Sequence, residues 1–287
     1  MNQIISNNHF LQKKFLETIL QQLPFKGGIA SCLFRLRYNP NNHNLTLTEI
    51  AQRIIKDEKQ VFEESGINPI AARVTKKITE TFKQEMQRDG IDVLENPDYQ
   101  LTYQWLWEKK FPRMAWELSR NIALYALEEL KMIDIETRRE TRRLDLDGEI
   151  PPDNHDIKLG QRYRLQINFP YIGKSILLIN EDGEGNKFLI CPSKAFAEVP
   201  YTLLSEGLHF PPDDQKPGRA KSLKFLTEGS EYFLALVTEK PIELSWVNWE
   251  SPAKDIKLNR ERLEEIFIQV GQQSGSQVFY KKFKVVK

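Results

Sequence analysis

The sequence predicts an α+β protein: a mainly helical domain over residues 1–135, followed by an antiparallel β-sandwich domain over residues 157–287. Three observations predict it. Apolar side chains recur at every third or fourth position in several stretches before Lys131, the spacing that places them on one side of a helix. From Tyr163 onward they alternate or form short runs punctuated by Gly and Pro, as several short strands do. Between Glu136 and Asp156 the periodicity stops. There, Arg138, Arg139, Arg142 and Arg143 give way to Asp145, Asp147, Glu149, Asp153 and Asp156, with Pro151-Pro152 inserted. Two prolines stiffen a chain and stop a helix from continuing, so 136–156 reads as a charged linker whose halves neutralise each other.

Taken in order, Phe15, Leu16, Ile19, Leu20 and Leu23 predict an amphipathic helix over about residues 9 to 23, ended by Pro24 and Gly27-Gly28. Cys32 to Tyr38 then alternates and predicts a short strand, stopped by Asn39-Pro40-Asn41-Asn42. Thr46-Leu47-Thr48-Glu49 fits a capping box, in which the Thr hydroxyl and the Glu carboxylate satisfy free amides at a helix start. Ile50, Ile54, Ile55, Val61 and Phe62 continue that helix. A further start lies at Asn68-Pro69, because proline is tolerated in the first turn; Ile70, Val74, Ile78 and Phe82 carry the helix towards Gly90. The last helical region runs from about Arg113 to Lys131, with Trp116, Leu118, Ile122, Tyr125, Leu127 and Leu130 inward. Trp105, Trp107 and Phe111 precede it, and aromatics so dense beside a helix are read as core rather than as a binding groove.

In the second half, Tyr163, Leu165, Ile167 and Phe169 occupy alternate positions and so share one face of a strand. Ser175–Ile179 and Lys187–Cys191 form a hairpin around Asn180-Glu181-Asp182-Gly183-Glu184-Gly185-Asn186, whose residues favour turns. Gly229 to Val237 is nearly continuous in apolar character and reads as a central strand. Trp246 and Trp249 follow. Asn259 to Gln269 predicts a short helix with Leu263, Ile266 and Phe267 inward, then Gly271 to Gly275 a flexible turn. Gln277 to Val286 predicts a closing strand with Phe279, Phe283 and Val285 on one side.

The ordered set Leu159-Gly160-Gln161-Arg162-Tyr163-Arg164-Leu165, Gly173, Leu177-Leu178-Ile179-Asn180, Asp182-Gly183, Cys191-Pro192, Gly207, Pro211, Gly229-Ser230-Glu231 and Leu234-Ala235-Leu236-Val237 resembles a bacterial family, domain of unknown function 4384. The resemblance spans about residues 157–249. It departs at the third strand, where the family often has Phe-Pro and this chain has Cys191-Pro192. Such domains accompany signalling or effector modules, including kinases and caspase-like peptidases. The resemblance therefore implies an accessory role and brings no catalytic residues.

Composition narrows the function classes. A formal net charge of +1 with 28% charged residues gives no overall field to draw nucleic acid or acidic membrane. No apolar run reaches bilayer length, the start lacks the pattern of a secretory signal, and two cysteines are too few for a disulfide framework. A reduced cytoplasmic protein away from membranes is expected.

Candidate sites are few. Asn180-x-Asp182-x-Glu184-Gly185 echoes the opening of a calcium loop, but the closing bidentate Glu that such a loop needs is replaced by Cys191, so a turn is the expected reading. Cys191 and His209 invite a thiol–histidine dyad, yet a Cys in an apolar strand before Pro usually behaves as a small buried hydrophobe. The histidines lack metal-ligand spacing, and no phosphate-binding glycine loop is present. No catalytic, cofactor-binding or metal-binding residue is assigned, and no cofactor is expected.

Two surfaces stand out. The long connection before the central strand carries Tyr201, Phe210, Pro211 and Lys216; its plainer reading is a proline-stiffened loop with its aromatics tucked under it, and its sharper one a partner-binding edge, since loops on a rigid scaffold are common recognition sites. Arg73, Lys76 and Lys77 lie on a helix that a helix-turn-helix reading would set against DNA. The expected function is a non-enzymatic interaction or regulatory protein, a docking module for a bacterial signalling or defence effector, with another protein as partner. The alternative is a DNA-binding regulator whose helices read DNA and whose sandwich senses.

Overall fold

A computed structural model describes residues 10–25, 27–57, 62–63, 66–93, 98–122, 130–135, 156–169, 171, 173–196, 208–212, 219–247, 257–273 and 276–287. Helices and predominantly antiparallel sheets make it a mixed α and β protein. Two compact units arise: Met1–Leu118 with Glu264–Gly275, and Ser119–Leu263 with Ser276–Lys287. Residues 119–135 thus fall in the second unit and 264–275 in the first, while the expected linker lies outside the described residues up to Asp156.

The first unit contains α1 (Phe10–Gln22), α2 (Gly28–Arg37), α3 (Leu47–Asp57), α4 (Ile67–Thr81), α5 (Lys83–Arg88), α6 (Tyr99–Trp105) and most of α7 (Phe111–Ile122), with a π-helical turn at Leu106–Lys110. It also holds the later turns of α8 (Arg260–Gln272). The helix expected over residues 9 to 23 is present as α1, and the capping box begins α3. Thr46 N–H donates to Glu49 Oε2 at 2.7 Å, and Glu49 N–H donates back to Thr46 Oγ1 at 3.3 Å.

The strand expected at Cys32–Tyr38 is instead helix α2. Four consecutive residues from Ser31 to Phe34 are buried, which a strand with one solvent face does not allow. Phe34 and Tyr38, four apart, stack at 5.3 Å, as helical neighbours do. Gly27 and Gly28, at φ +96° and +70°, turn the chain into this helix.

Aromatic residues fill the unit. Phe15 meets Trp107 and Phe111 at 5.1 and 5.2 Å, and Trp105, Trp107 and Phe111 are all buried. Two of the indoles find acceptors: Trp105 Nε1 donates to Asp89 at 2.7 Å and Trp107 Nε1 to the Tyr38 carbonyl at 2.9 Å. The expected turn from Gly271 is also revised, since Gly271 lies inside α8, where an added Cβ would sit 2.9 Å from the Phe111 ring. A residue without a side chain lets that helix approach the aromatics.

The second unit holds β1 (Leu130–Asp134), β2 (Asp156–Lys158), β3 (Arg162–Ile167), β4 (Ser175–Glu181), β5 (Lys187–Cys191), β6 (Leu208–Phe210), β7 (Leu223–Lys224), β8 (Gly229–Thr238), β9 (Lys257–Leu258) and β10 (Gln277–Val286). One sheet has the order β1-β3-β6, with β7 also on β3; the other runs β2-β10-β8-β4-β5-β9. All pairings are antiparallel except β10 with β2. The expected strands at 163–169, 175–179, 187–191, 229–237 and 277–286 are present, and β8 is interior to its sheet.

Leu130 belongs to a strand rather than to the end of a helix. β1 pairs with β3 in register Leu130↔Ile167 to Asp134↔Tyr163, so partner strand outweighs local helical spacing. Leu130 and Met132, two apart, join one buried cluster with Tyr163, Leu165 and Ile167 of the same sheet and with Ile176, Leu178, Phe233, Ala235, Phe283 and Val285 of the other. A register shift between Leu178 and Ile179 brings both Ile190 and Cys191 into that cluster. Among the described residues no helix is long and apolar enough to cross a membrane.

Candidate functional site

The basic residues singled out on α4 have an ordinary surface setting. Arg73 and Lys76 are exposed, and Lys77 Nζ meets Glu80 at 2.7 Å. That hydrogen bond, with the Lys77 and Lys76 charges, holds the Glu80 carboxyl below its usual range. Residues 58–66 separate α3 from α4, more than the few residues of a helix-turn-helix connection.

On the long connection, Tyr201 and Lys216 lie outside the described residues. Phe210 is fully buried opposite Leu165 on β3, in the core cluster, and Pro211 is buried beside it. These two side chains are part of the packing, as the tucked-aromatic reading of this connection expects. The alternation that marks a strand also predicts an inward side chain, which is the signal that outweighs loop position for Phe210.

Cys191 and His209 sit on different sheets: Cys191 on β5, His209 on β6 opposite Gln166. The Cys191 thiol donates to the Ile176 carbonyl at 3.7 Å, and burial pushes its pKa up, away from the thiolate that attacks carbonyls. In the hairpin, Asp182 Oδ1 accepts from the N–H groups of Glu184 and Asn186 at 2.9 and 2.8 Å, and Oδ2 accepts from Asn186 Nδ2 at 2.9 Å. The carboxylate is thus spent on closing its own turn. No cluster of three or more His, Cys, Asp or Glu placed to hold a metal occurs among the described residues.

Next to that turn lies a polar pair that sequence reasoning did not single out. Asn180 Nδ2 donates to Glu231 Oε2 at 2.9 Å and to the Tyr232 carbonyl at 3.2 Å. Glu231 is only 6% exposed. Burial raises its pKa to about 7, opposed by the Asn180 hydrogen bond and reinforced by the nearby Asp182 charge. An acid alone at the end of an otherwise apolar strand is the signal that could have found it. At the end of the neighbouring β4, buried Glu181 lies 3.7 Å from Arg120 and 3.4 Å from Lys187, while Arg120 and Lys282 approach the Tyr232 ring at 4.9 and 5.3 Å.

An open concavity lies in the first unit. α1 ends at Gln22, and the chain turns through Gly27 into α2. This elbow borders a cavity of about 420 Å³ lined by Glu17, Leu20, Gln21, Leu23, Phe25, Gly27 and Arg35. Glu17 and Leu20, three apart on α1, share a helix face; Arg35 reaches in from α2. Phe25 is braced by Phe34 at 6.5 Å between ring centres. Leu20, expected in the core, is only half-buried because it lines this cavity. Neither the Glu17 carboxylate nor the Arg35 guanidinium makes a hydrogen bond or ion pair with another described residue.

These lining groups include an acid, a base and three apolar side chains, without a thiol, hydroxyl or imidazole among them. Against protein-family models, curated proteins and solved structures, the chain returns no match.

Proposed function

We propose that this chain is a non-enzymatic interaction and regulatory protein: a helical domain joined to an antiparallel β-sandwich, docking on a bacterial signalling or defence effector. The sandwich is of the kind implied by the resemblance to the family of unknown function 4384, with the two sheets enclosing one core. The shared buried cluster supports that layering. The observation that carries the functional reading is how the reactive groups are used. Cys191 is sealed in the core, Asp182 ties its own turn, and Lys281 donates to the Leu130 carbonyl at 2.6 Å. Side chains suited to chemistry are consumed by the architecture, while an open groove elsewhere keeps unpaired charges on its rim.

Reciprocal capture tests the reading. The tagged chain and a Cys191→Ala variant, both checked for equal melting temperature, are expressed in a bacterial host carrying candidate effectors. One effector recovered in both directions, and equally by both chains, supports it. A purified preparation with an activity that Cys191→Ala abolishes would remove it. DNA retention that weakens steeply with salt and disappears on substitution of Arg73 and Lys76 would favour the DNA-binding alternative instead.

A further inference from the structure

We propose that the α1–α2 elbow of the first unit is a binding site for a small zwitterion with an apolar side chain, of the α-amino acid class. The site goes beyond the docking role and stands or falls independently of it. Three observations carry it. The cavity, about 420 Å³, is in the range of roughly 300–1,000 Å³ that small-molecule sites occupy. Its lining includes three apolar side chains: Leu20, Leu23 and Phe25.

Among the described residues its polar lining is one carboxylate, Glu17, one guanidinium, Arg35, and the Gln21 amide. Both charges are left unpaired, with each other and with every other described group. Two opposite charges that line one cavity without meeting leave room for a ligand that meets both. An ammonium would sit against Glu17 and a carboxylate against the Arg35 fork, whose planar donors match that anion bidentately. The side chain would then lie on Leu20, Leu23 and Phe25. A purely apolar ligand would leave both charges without partners, and a simple anion or cation would leave one of them and the apolar side chains unused.

The charges also sit on rigid supports. Glu17 is in the body of α1, and Arg35 is in the last turn of α2, whose Phe34 neighbour is fully buried. Pre-placed partners lower the ordering cost of binding. Neither charged residue contributes to the core, so each can be changed without loss of fold.

Titration calorimetry on the full chain tests the proposal, with L-leucine, L-phenylalanine and L-tryptophan as probes alongside their N-acetyl and carboxamide forms. Saturable binding of at least one free amino acid is expected, weakened about tenfold or more by masking either end, as loss of a charge-assisted hydrogen bond predicts. Glu17→Gln should weaken the free amino acid yet leave its N-acetyl form unchanged. Arg35→Gln should do the same with respect to the carboxamide. Three outcomes overturn it: no saturation by any probe, equal binding of the masked forms, or equal binding by both variants. Because masking acts on the ligand, the test keeps its force even if one variant loses stability.

Discussion

Glu231 provides the sharpest quantitative consequence of the fold. Its carboxyl is buried, accepts from Asn180 Nδ2 at 2.9 Å, and titrates near 7 instead of 4.5 because burial disfavours the charged form. The folded state therefore binds this proton more tightly than the unfolded chain. Stability from this group is fully present below about pH 4.5 and is lost as the pH rises towards 7, after which it stays flat. At 1.36 kcal/mol for each tenfold in proton affinity, the ceiling is about 3 kcal/mol, and solvent screening at the strand end brings the expected effect to about 1–2 kcal/mol.

Glu231→Gln keeps the shape and an acceptor for Asn180 while removing the ionisation. The variant should match the parent at pH 4.5 and exceed it by about 1–2 kcal/mol at pH 8. Other carboxyls set their own slopes; Glu49, Glu80 and Asp89 are all lowered. The comparison is therefore made between the two chains at each pH. Hydrogen exchange at the β8 amides from Tyr232 to Val237 reads the second unit specifically. Equal protection of parent and variant at pH 8, or a variant weaker at every pH, would refute the buried-acid argument.

Two further outcomes follow from packing and turn chemistry. Gly271→Ala places a methyl group 2.9 Å from the Phe111 ring and 3.4 Å from Trp107. Overpacking of this kind should cost about 1–3 kcal/mol in the first unit, read as a lower melting temperature by tryptophan fluorescence; an unchanged midpoint would mean that the aromatics yield freely. Asp182→Ala removes the acceptor of two backbone N–H groups. It should cost about 1 kcal/mol and speed amide exchange at Glu184 and Asn186, whereas unaltered exchange there would show that the carboxylate does not hold the turn.

How much of this could be read from the chain depends on the range of the forces that set each part. β3 and the β4–β5 hairpin were legible because a period of two and a turn rich in Gly, Asn and Asp are written in consecutive residues. α1 and the Thr46–Glu49 cap were legible for the same reason. The stretch Cys32–Tyr38 misled because its alternating residues, wound as a helix, still bring Phe34 and Tyr38 to one side; the neighbouring Gly27-Gly28 turn and tertiary packing decide between the two. Leu130–Asp134 adopts its strand through β3, whose paired residues run from Tyr163 to Ile167, which no local period reports.

The candidate sites divide along the same line. Asp182 was correctly legible as a turn residue, because its partners lie within four positions. Phe210 was left between a tucked aromatic and a docking side chain, because its burial depends on Leu165 across the sheet. The α1–α2 groove was invisible in sequence. It exists only where two helices diverge at a glycine elbow, and Glu17 and Arg35 are unremarkable until that geometry places them on one rim. The Glu231–Asn180 pair joins residues far apart in the chain, although an acid within so apolar a strand was a hint worth following.

The central claim is that the reactive side chains of the second unit are architectural, and the state of the thiols tests it most directly. Cys191 is fully buried with its pKa pushed up, and Cys32 is buried in α2. Alkylation by iodoacetamide at pH 8 should leave both thiols unmodified in the native protein and label both after denaturation. Rapid, stoichiometric labelling of Cys191 in the folded chain, faster than a free thiol, would contradict the account.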